Sequence, residues 1–137
     1  MNKQDGFTLV ELLVVLMITL SLAFFILPKL SDTLRSQEQR NFFQLFASDN
    51  LLVQSYNLYS DHQGKILLYP KRYYVDLEEY GYHRSLPEPL SLDNPSYRIV
   101  YSATGSVLQP YTYRYRAEGK LYRVIFPFGK GRFYVEE

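Results

Sequence analysis

The 137-residue chain contains neither cysteine nor tryptophan. Without cysteine there are no disulfides and no thiolate metal sites, and cysteine usage says nothing about redox compartment. Net charge is also small. Fifteen basic residues stand against 14 acidic ones, and the resulting +1 argues for no partner by itself. Catalytic signatures are missing too. His62 and His83 stand apart, with no cysteine or carboxylate at ligand spacing, and read as surface histidines. Glu78 and Glu79 are adjacent and would point apart on a strand, a poor acid/base pair. Serine and aspartate occur without a nucleophile-elbow pattern, and no glycine-rich phosphate loop is present. The expectation is a protein that is not an enzyme and takes no cofactor and no metal.

What the chain does have is a long apolar run near its start. Residues 7–27 form 21 positions in which Glu11 is the one charged side chain. As a helix rising about 1.5 Å per residue the run would measure roughly 31 Å. A bilayer's hydrocarbon core is about 30 Å thick, so one crossing is expected. Lys3 on the N-terminal flank favours a cytoplasmic N-terminus. A secretory signal would carry a longer basic region, a shorter apolar run and a small-residue cleavage site. Here Pro28-Lys29-Leu30 comes next instead, so the apolar segment is expected to stay with the mature protein.

Glu11 needs an explanation, because a carboxylate in a membrane helix costs a few kcal/mol (roughly 3) and is usually paired and functional. One reading is a glutamate tolerated near the headgroups, since it lies one turn from Phe7. The other requires a partner, and the apolar segment itself offers none in sequence. A positive charge from a neighbouring subunit would then meet Glu11 and fix register, a task that suits a buried pair better than adding stability.

Beyond residue 28 the composition shifts from Phe and Leu to Tyr, and all 14 tyrosines lie after position 55. Residues 29–62 read as a continuation of the helix. Phe42, Leu45, Phe46, Leu52, Val53, Tyr56 and Tyr59 recur at helical spacing and form the face expected to pack on a sheet. A groove for a partner helix is the alternative. Asp32, Arg35, Glu38, Arg40 and Asp49 fall to the solvated side, and Gly64, in a left-handed conformation, closes the helix. The period then changes to two. Strands are expected over 66–69, 73–76, 97–101, 111–116, 121–126 and 132–135, with 78–95 as a proline-containing loop and Glu118-Gly119 as a hairpin turn.

The later strands carry an excess of positive charge. Between residues 97 and 135 seven basic side chains face a single acid, Glu118. Alternation places Tyr111, Tyr113 and Tyr115 on one face and Thr112, Arg114 and Arg116 on the other. Guanidinium groups on a sheet face can bind phosphates, and nearby aromatics can stack exposed bases. Arg114, Arg116, Arg123, Lys130 and Arg132 are therefore candidate DNA-binding residues. The plainer reading is that arginine solvates the outer face and protects exposed edges.

The N-terminal region resembles a known family. Gly6-Phe7-Thr8-Leu9-Val10-Glu11, running into the apolar helix, resembles the class III signal of type IV pilins and pseudopilins. That resemblance implies cleavage between Gly6 and Phe7 by a prepilin peptidase and N-methylation of Phe7. It implies roles in assembly for Glu11, facing a neighbour's terminal amine, and for Pro28, a helix-weakening position. It further implies an α+β fold, with a long N-terminal helix packed on a C-terminal antiparallel sheet. The divisions are a leader over 1–6, a transmembrane and assembly helix over 7–28, its amphipathic continuation over 29–62 and a β-sheet head over 63–137. The ending Gly129-Lys130-Gly131-Arg132-Phe133-Tyr134-Val135 is similar to minor pilins of Gram-positive competence systems, the ComGD type, although Pro127 and Phe128 depart from a plain apolar strand. The partners so implied are other pilin subunits of the filament, the prepilin peptidase, the membrane before assembly, and DNA. The implied location is the cell membrane, single-pass, and then a surface filament. A pseudopilin of a type II secretion system, or a membrane-anchored module that never polymerises, fits the same leader.

Overall fold

The computed structural model describes residues 8–93 and 97–137. In chain order the elements are α1 (Leu9–Tyr59), β1 (Lys65–Tyr69), β2 (Arg72–Asp76), β3 (Gly81–Ser85), β4 (Ser91–Leu92), β5 (Tyr97–Val100), β6 (Tyr111–Ala117), β7 (Lys120–Phe126) and β8 (Tyr134–Glu136). The chain divides into two compact units, Met1–Glu38 and Gln39–Glu137. The architecture is α+β, a long N-terminal helix with antiparallel sheets, as the sequence implies.

In the first unit α1 shows its apolar side chains to the surroundings. Leu9 is 77 % and Phe24 76 % exposed, and the large apolar residues between them are likewise uncovered. The helix is long and apolar enough to cross a membrane by length and composition. Its hydroxyls are satisfied within the helix. Thr19 Oγ1 donates to Val15 O and Leu16 O at 3.0 Å, and Ser21 Oγ to Met17 O at 2.8 Å. Back-bonding of this kind leaves no hydroxyl proton unpaired in an apolar medium.

In the second unit the remaining part of α1 buries Phe42, Phe46 and Val53 against the strands. Asp49, Asn50 and Asn57 lie on the same buried face. Here the structure corrects the helical stripe read from sequence. Leu45, Leu52 and Tyr59 are exposed, and Asp49 is buried rather than solvated. Spacings of three, four and seven admit two neighbouring faces of a helix. The polar residues could move inward because each finds partners on the strands.

Among the described residues eight strands form two antiparallel sheets, ordered β3-β2-β1-β5 and β4-β6-β7-β8. Alternation is clean in the central strands: Ile66 and Leu68, Tyr73 and Val75, Tyr113 and Tyr115, and Tyr122, Val124 and Phe126 all point into the core. The β6–β7 hairpin turns on Glu118 and Gly119, with φ of 49° and 81°. Two consecutive positive φ values match the twist of a two-residue hairpin, which explains the glycine.

Residues 78–95 are not a plain loop. They contain β3, paired to β2 from Arg72↔Ser85 to Asp76↔Gly81, and the short β4, paired to β6. Gly-Tyr-His-Arg-Ser has little strand propensity. It is an edge strand held by its register and by inward contacts of Tyr82 and Arg84. The final strand begins two residues later than expected, at Tyr134.

The helix ends at Tyr59 without a left-handed glycine. Asn57 organises the exit: its Oδ1 accepts the Gly64 N–H at 2.6 Å, and its Nδ2 donates to Gly64 O and Tyr101 O at 3.0 Å. Gly64 leaves little room for a side chain there. A Cβ at that position would stand 2.9 Å from Leu77 Cδ2 and 3.1 Å from Asn57 Oδ1.

Candidate functional site

The first candidate lies at the start of α1. Thr8 and Glu11 form a reciprocal cap in the threonine-x-x-glutamate pattern. The Glu11 N–H donates to Thr8 Oγ1 at 3.2 Å, and Glu11 Oε2 accepts from Thr8 N at 3.3 Å and Thr8 Oγ1 at 3.2 Å. Sequence reasoning found no partner for Glu11 inside the segment, and the structure supplies one. The signal was present as Thr8-Leu9-Val10-Glu11, at the head of the apolar run. Both Thr8 contacts use Oε2, so Oε1 accepts no hydrogen bond among the described residues. A negative charge also suits the positive end of the helix dipole. Gly6 and Phe7 lie outside the described residues, as does the side chain of Pro28. The helical backbone itself continues through position 28.

The second candidate is the outer face of β6 and β7. Arg114 and Arg116 are exposed while Tyr113 and Tyr115 are buried, as alternation implies. The five basic residues do not form one cationic cluster. Arg116 Nη2 lies 3.1 Å from Asp93 Oδ2, and Arg123 Nη2 lies 3.4 Å from Glu136 Oε2. Lys120 pairs with Glu137 nearby. Sequence distance concealed these acids. Arg114 stands directly opposite Arg123 in the hairpin register, an unfavourable juxtaposition on one face. Arg114, Lys130 and Arg132 have no acidic partner among the described residues.

A third group emerges only in the fold. Asp49 accepts from Tyr73 Oη at 2.6 Å, Tyr82 Oη at 2.8 Å, Arg84 Nε at 2.7 Å and Arg84 Nη2 at 3.3 Å. Burial, and then the hydrogen bond to Asp49, push the Tyr73 phenol well above its ordinary range. Burial does the same to Tyr101, Tyr113 and Tyr115. Tyr101 Oη also donates to Asn50 Oδ1 at 2.9 Å. Asp49, Asn50 and the hydroxyls of Tyr73, Tyr82 and Tyr101 are engaged with one another or with Arg84, an arrangement that serves cohesion. His62 is not isolated as expected: its Nδ1 lies 2.7 Å from Glu78 Oε2 on the surface. Glu78 and Glu79 occupy a turn, with Glu78 at φ 65°.

Comparison with known proteins gives one match. Residues 1–27 match the prokaryotic N-terminal methylation motif. No curated protein and no solved structure matches the chain. A signal of this class implies processing by a prepilin peptidase, anchoring in a membrane and assembly with other pilins. Together with the exposed apolar helix and the α+β head, the match supports a structural subunit of the type IV pilin-like family, pilin or pseudopilin.

Proposed function

We propose that the chain is a minor pilin of a competence type IV pilus, a filament that takes up extracellular DNA for transformation. The precursor inserts once, N-terminus in the cytoplasm and head outside. The peptidase cuts between Gly6 and Phe7, and the new Phe7 terminus is methylated. Assembly then moves the helix of residues 7–28 out of lipid into a bundle of like helices. The amphipathic continuation over 29–62 and the head over 63–137 remain at the filament surface.

The observation that carries this reading is the state of Glu11. It sits in the first turn of a helix whose apolar side chains are uncovered, with Oε2 held by Thr8 and Oε1 accepting no hydrogen bond among the described residues. An open carboxylate oxygen in an apolar setting gains most from a cation supplied by a neighbour, and the amine of another processed subunit meets that need. Pro28 removes one backbone donor and eases adjustment of the helix during extraction. The competence assignment is supported by the Gly129-Lys130-Gly131-Arg132 ending and by the positive charge at Arg114, Lys130 and Arg132, which no acid among the described residues answers.

Deletion in the native host, scored for DNA uptake and protein secretion side by side, tests the reading. Loss of uptake with normal secretion is expected. Loss of secretion alone would transfer the protein to a secretion pseudopilus.

A further inference from the structure

Between β5 and β6 a groove of about 560 Å³ opens at the edge of the first sheet. That volume lies within the roughly 300–1,000 Å³ of ligand-binding clefts. Three of its lining side chains form a compact aromatic platform. Tyr97 and Tyr111 have ring centroids 4.8 Å apart, Tyr111 and Tyr113 5.1 Å, and Tyr97 and Tyr113 5.5 Å. Hydrogen bonds fix the group: Tyr111 Oη donates to Tyr97 Oη at 2.9 Å, and Tyr113 Oη to Arg98 O at 3.4 Å. Tyr113 is buried and braces the other two, while Tyr111 is 41 % exposed. An exposed ring held in place by its neighbours presents a face at little entropic cost.

The charge at the groove comes from arginine. Among the described residues Arg98 is the single charged one that lines the groove. The Arg72 guanidinium lies 5.6 Å from the centre of the Tyr69 ring, which also lines the groove. The guanidinium groups of Arg98 and Arg72 thus accompany the rings. A ligand that uses both must carry flat apolar faces and regularly spaced anions. A neutral glycan would use the rings and leave the cations unanswered, and a duplex hides its base faces.

We propose that this groove binds single-stranded nucleic acid, with Tyr97 and Tyr111 stacking exposed bases and Arg98 and Arg72 holding the adjoining phosphates. The inference rests on the reading of the head as a DNA-contacting surface, and it moves the contact away from the outer face of β6–β7. There Arg116 and Arg123 are already engaged by Asp93 and Glu136.

The test uses the full chain purified in detergent. The absence of tryptophan makes intrinsic tyrosine fluorescence a direct reporter of stacking. The probes are an oligothymidylate of about 12 nucleotides, within the roughly 4–16 of single-strand sites, an abasic strand of equal length, a duplex and chitohexaose. Oligothymidylate should bind and quench tyrosine emission, and the abasic strand should bind about tenfold more weakly, the order of one lost stacking contact. Tyr111→Leu, at an exposed position, should weaken oligothymidylate binding about tenfold. Arg98→Gln with Arg72→Gln should weaken it and reduce its dependence on salt. Arg116→Gln with Arg123→Gln should leave it unchanged. Equal binding of the thymidylate and abasic strands, or loss confined to the Arg116 and Arg123 variant, would overturn the groove and leave DNA contact standing. Binding of no nucleic acid at all would remove both. Capture of chitohexaose alone, lost in Tyr111→Leu, would make the groove a glycan site and overturn the proposal.

Discussion

Asp49 on α1 and Arg84 on β3 are joined by two hydrogen bonds, Nε to Oδ2 at 2.7 Å and Nη2 to Oδ1 at 3.3 Å. The pair is lopsided, because the Asp49 side chain is 6 % exposed and that of Arg84 36 %. An edge strand of weak propensity is thus held to the helix by the charge of a buried carboxylate, with Tyr73 and Tyr82 completing its shell.

That asymmetry separates two substitutions. Asp49→Ala strands the buried Tyr73 hydroxyl and should cost about 1–3 kcal/mol from that group alone. Arg84→Gln removes a partly exposed partner and leaves Asp49 its two tyrosines, so it should cost about 1 kcal/mol or less. Urea midpoints of the two variants decide the matter. Equal losses would mean that the guanidinium, rather than the tyrosine shell, holds the carboxylate.

Stability should also fall at alkaline pH for a definite reason. The phenols of Tyr73, Tyr101, Tyr113 and Tyr115 are all raised in the fold, by burial first. An unfolded tyrosine titrates near pH 10. Below that the raised groups are protonated in both states and their contribution is fully present. As pH climbs past about 10 the unfolded chain releases protons that the folded chain retains, so stability declines up through the folded values. Phenolate absorbance of the folded protein should accordingly show a fraction of tyrosines that resists titration until unfolding. Full ionisation near pH 10 without loss of structure would contradict this.

At the end of α1, Gly64→Ala is expected to destabilise by about 1–3 kcal/mol through overpacking. The added Cβ would crowd Leu77 and Asn57, and Asn57 bonds both Gly64 and Tyr101. Thermal or urea unfolding of the variant measures it. An unchanged midpoint would show that the Leu77 side chain can yield.

These cases mark how far the sequence can be read. The apolar run, the helix–sheet layout and the β6–β7 hairpin come from period and turn chemistry, because each signal lies within a few residues. Asp49 was not legible in this way: its partners stand 24 to 35 residues away, and a lone aspartate on a helix looks solvated. The same holds for β3, whose strand state depends on register with β2 rather than on its own residues. The cationic face was half legible, since alternation placed Arg114 and Arg116 outward but could not bring Asp93 and Glu136 beside the arginines. The tyrosine groove, built from β5 and β6, had no local signature.

The strongest prediction concerns Glu11, where the observed cap and the proposed pairing with a neighbouring subunit would use one side chain. As a cap it needs an oxygen that accepts from Thr8, and glutamine supplies one equally well. As the partner of a neighbour's amine it needs a negative charge, which glutamine lacks. Glu11→Gln should therefore keep helix content and membrane insertion while filament assembly fails, the outcome also expected of Glu11→Ala. Thr8→Val, which removes the hydroxyl and keeps the carboxylate, should cost the cap about 0.5–2 kcal/mol and still assemble. Circular dichroism in detergent reports the helix, and the fraction of protein in sheared surface filaments reports assembly. Wild-type levels of filament from Glu11→Gln would show that the cap alone explains the glutamate. Failure of Thr8→Val together with success of Glu11→Gln would mean that helix initiation, and no charge between subunits, governs entry into the filament.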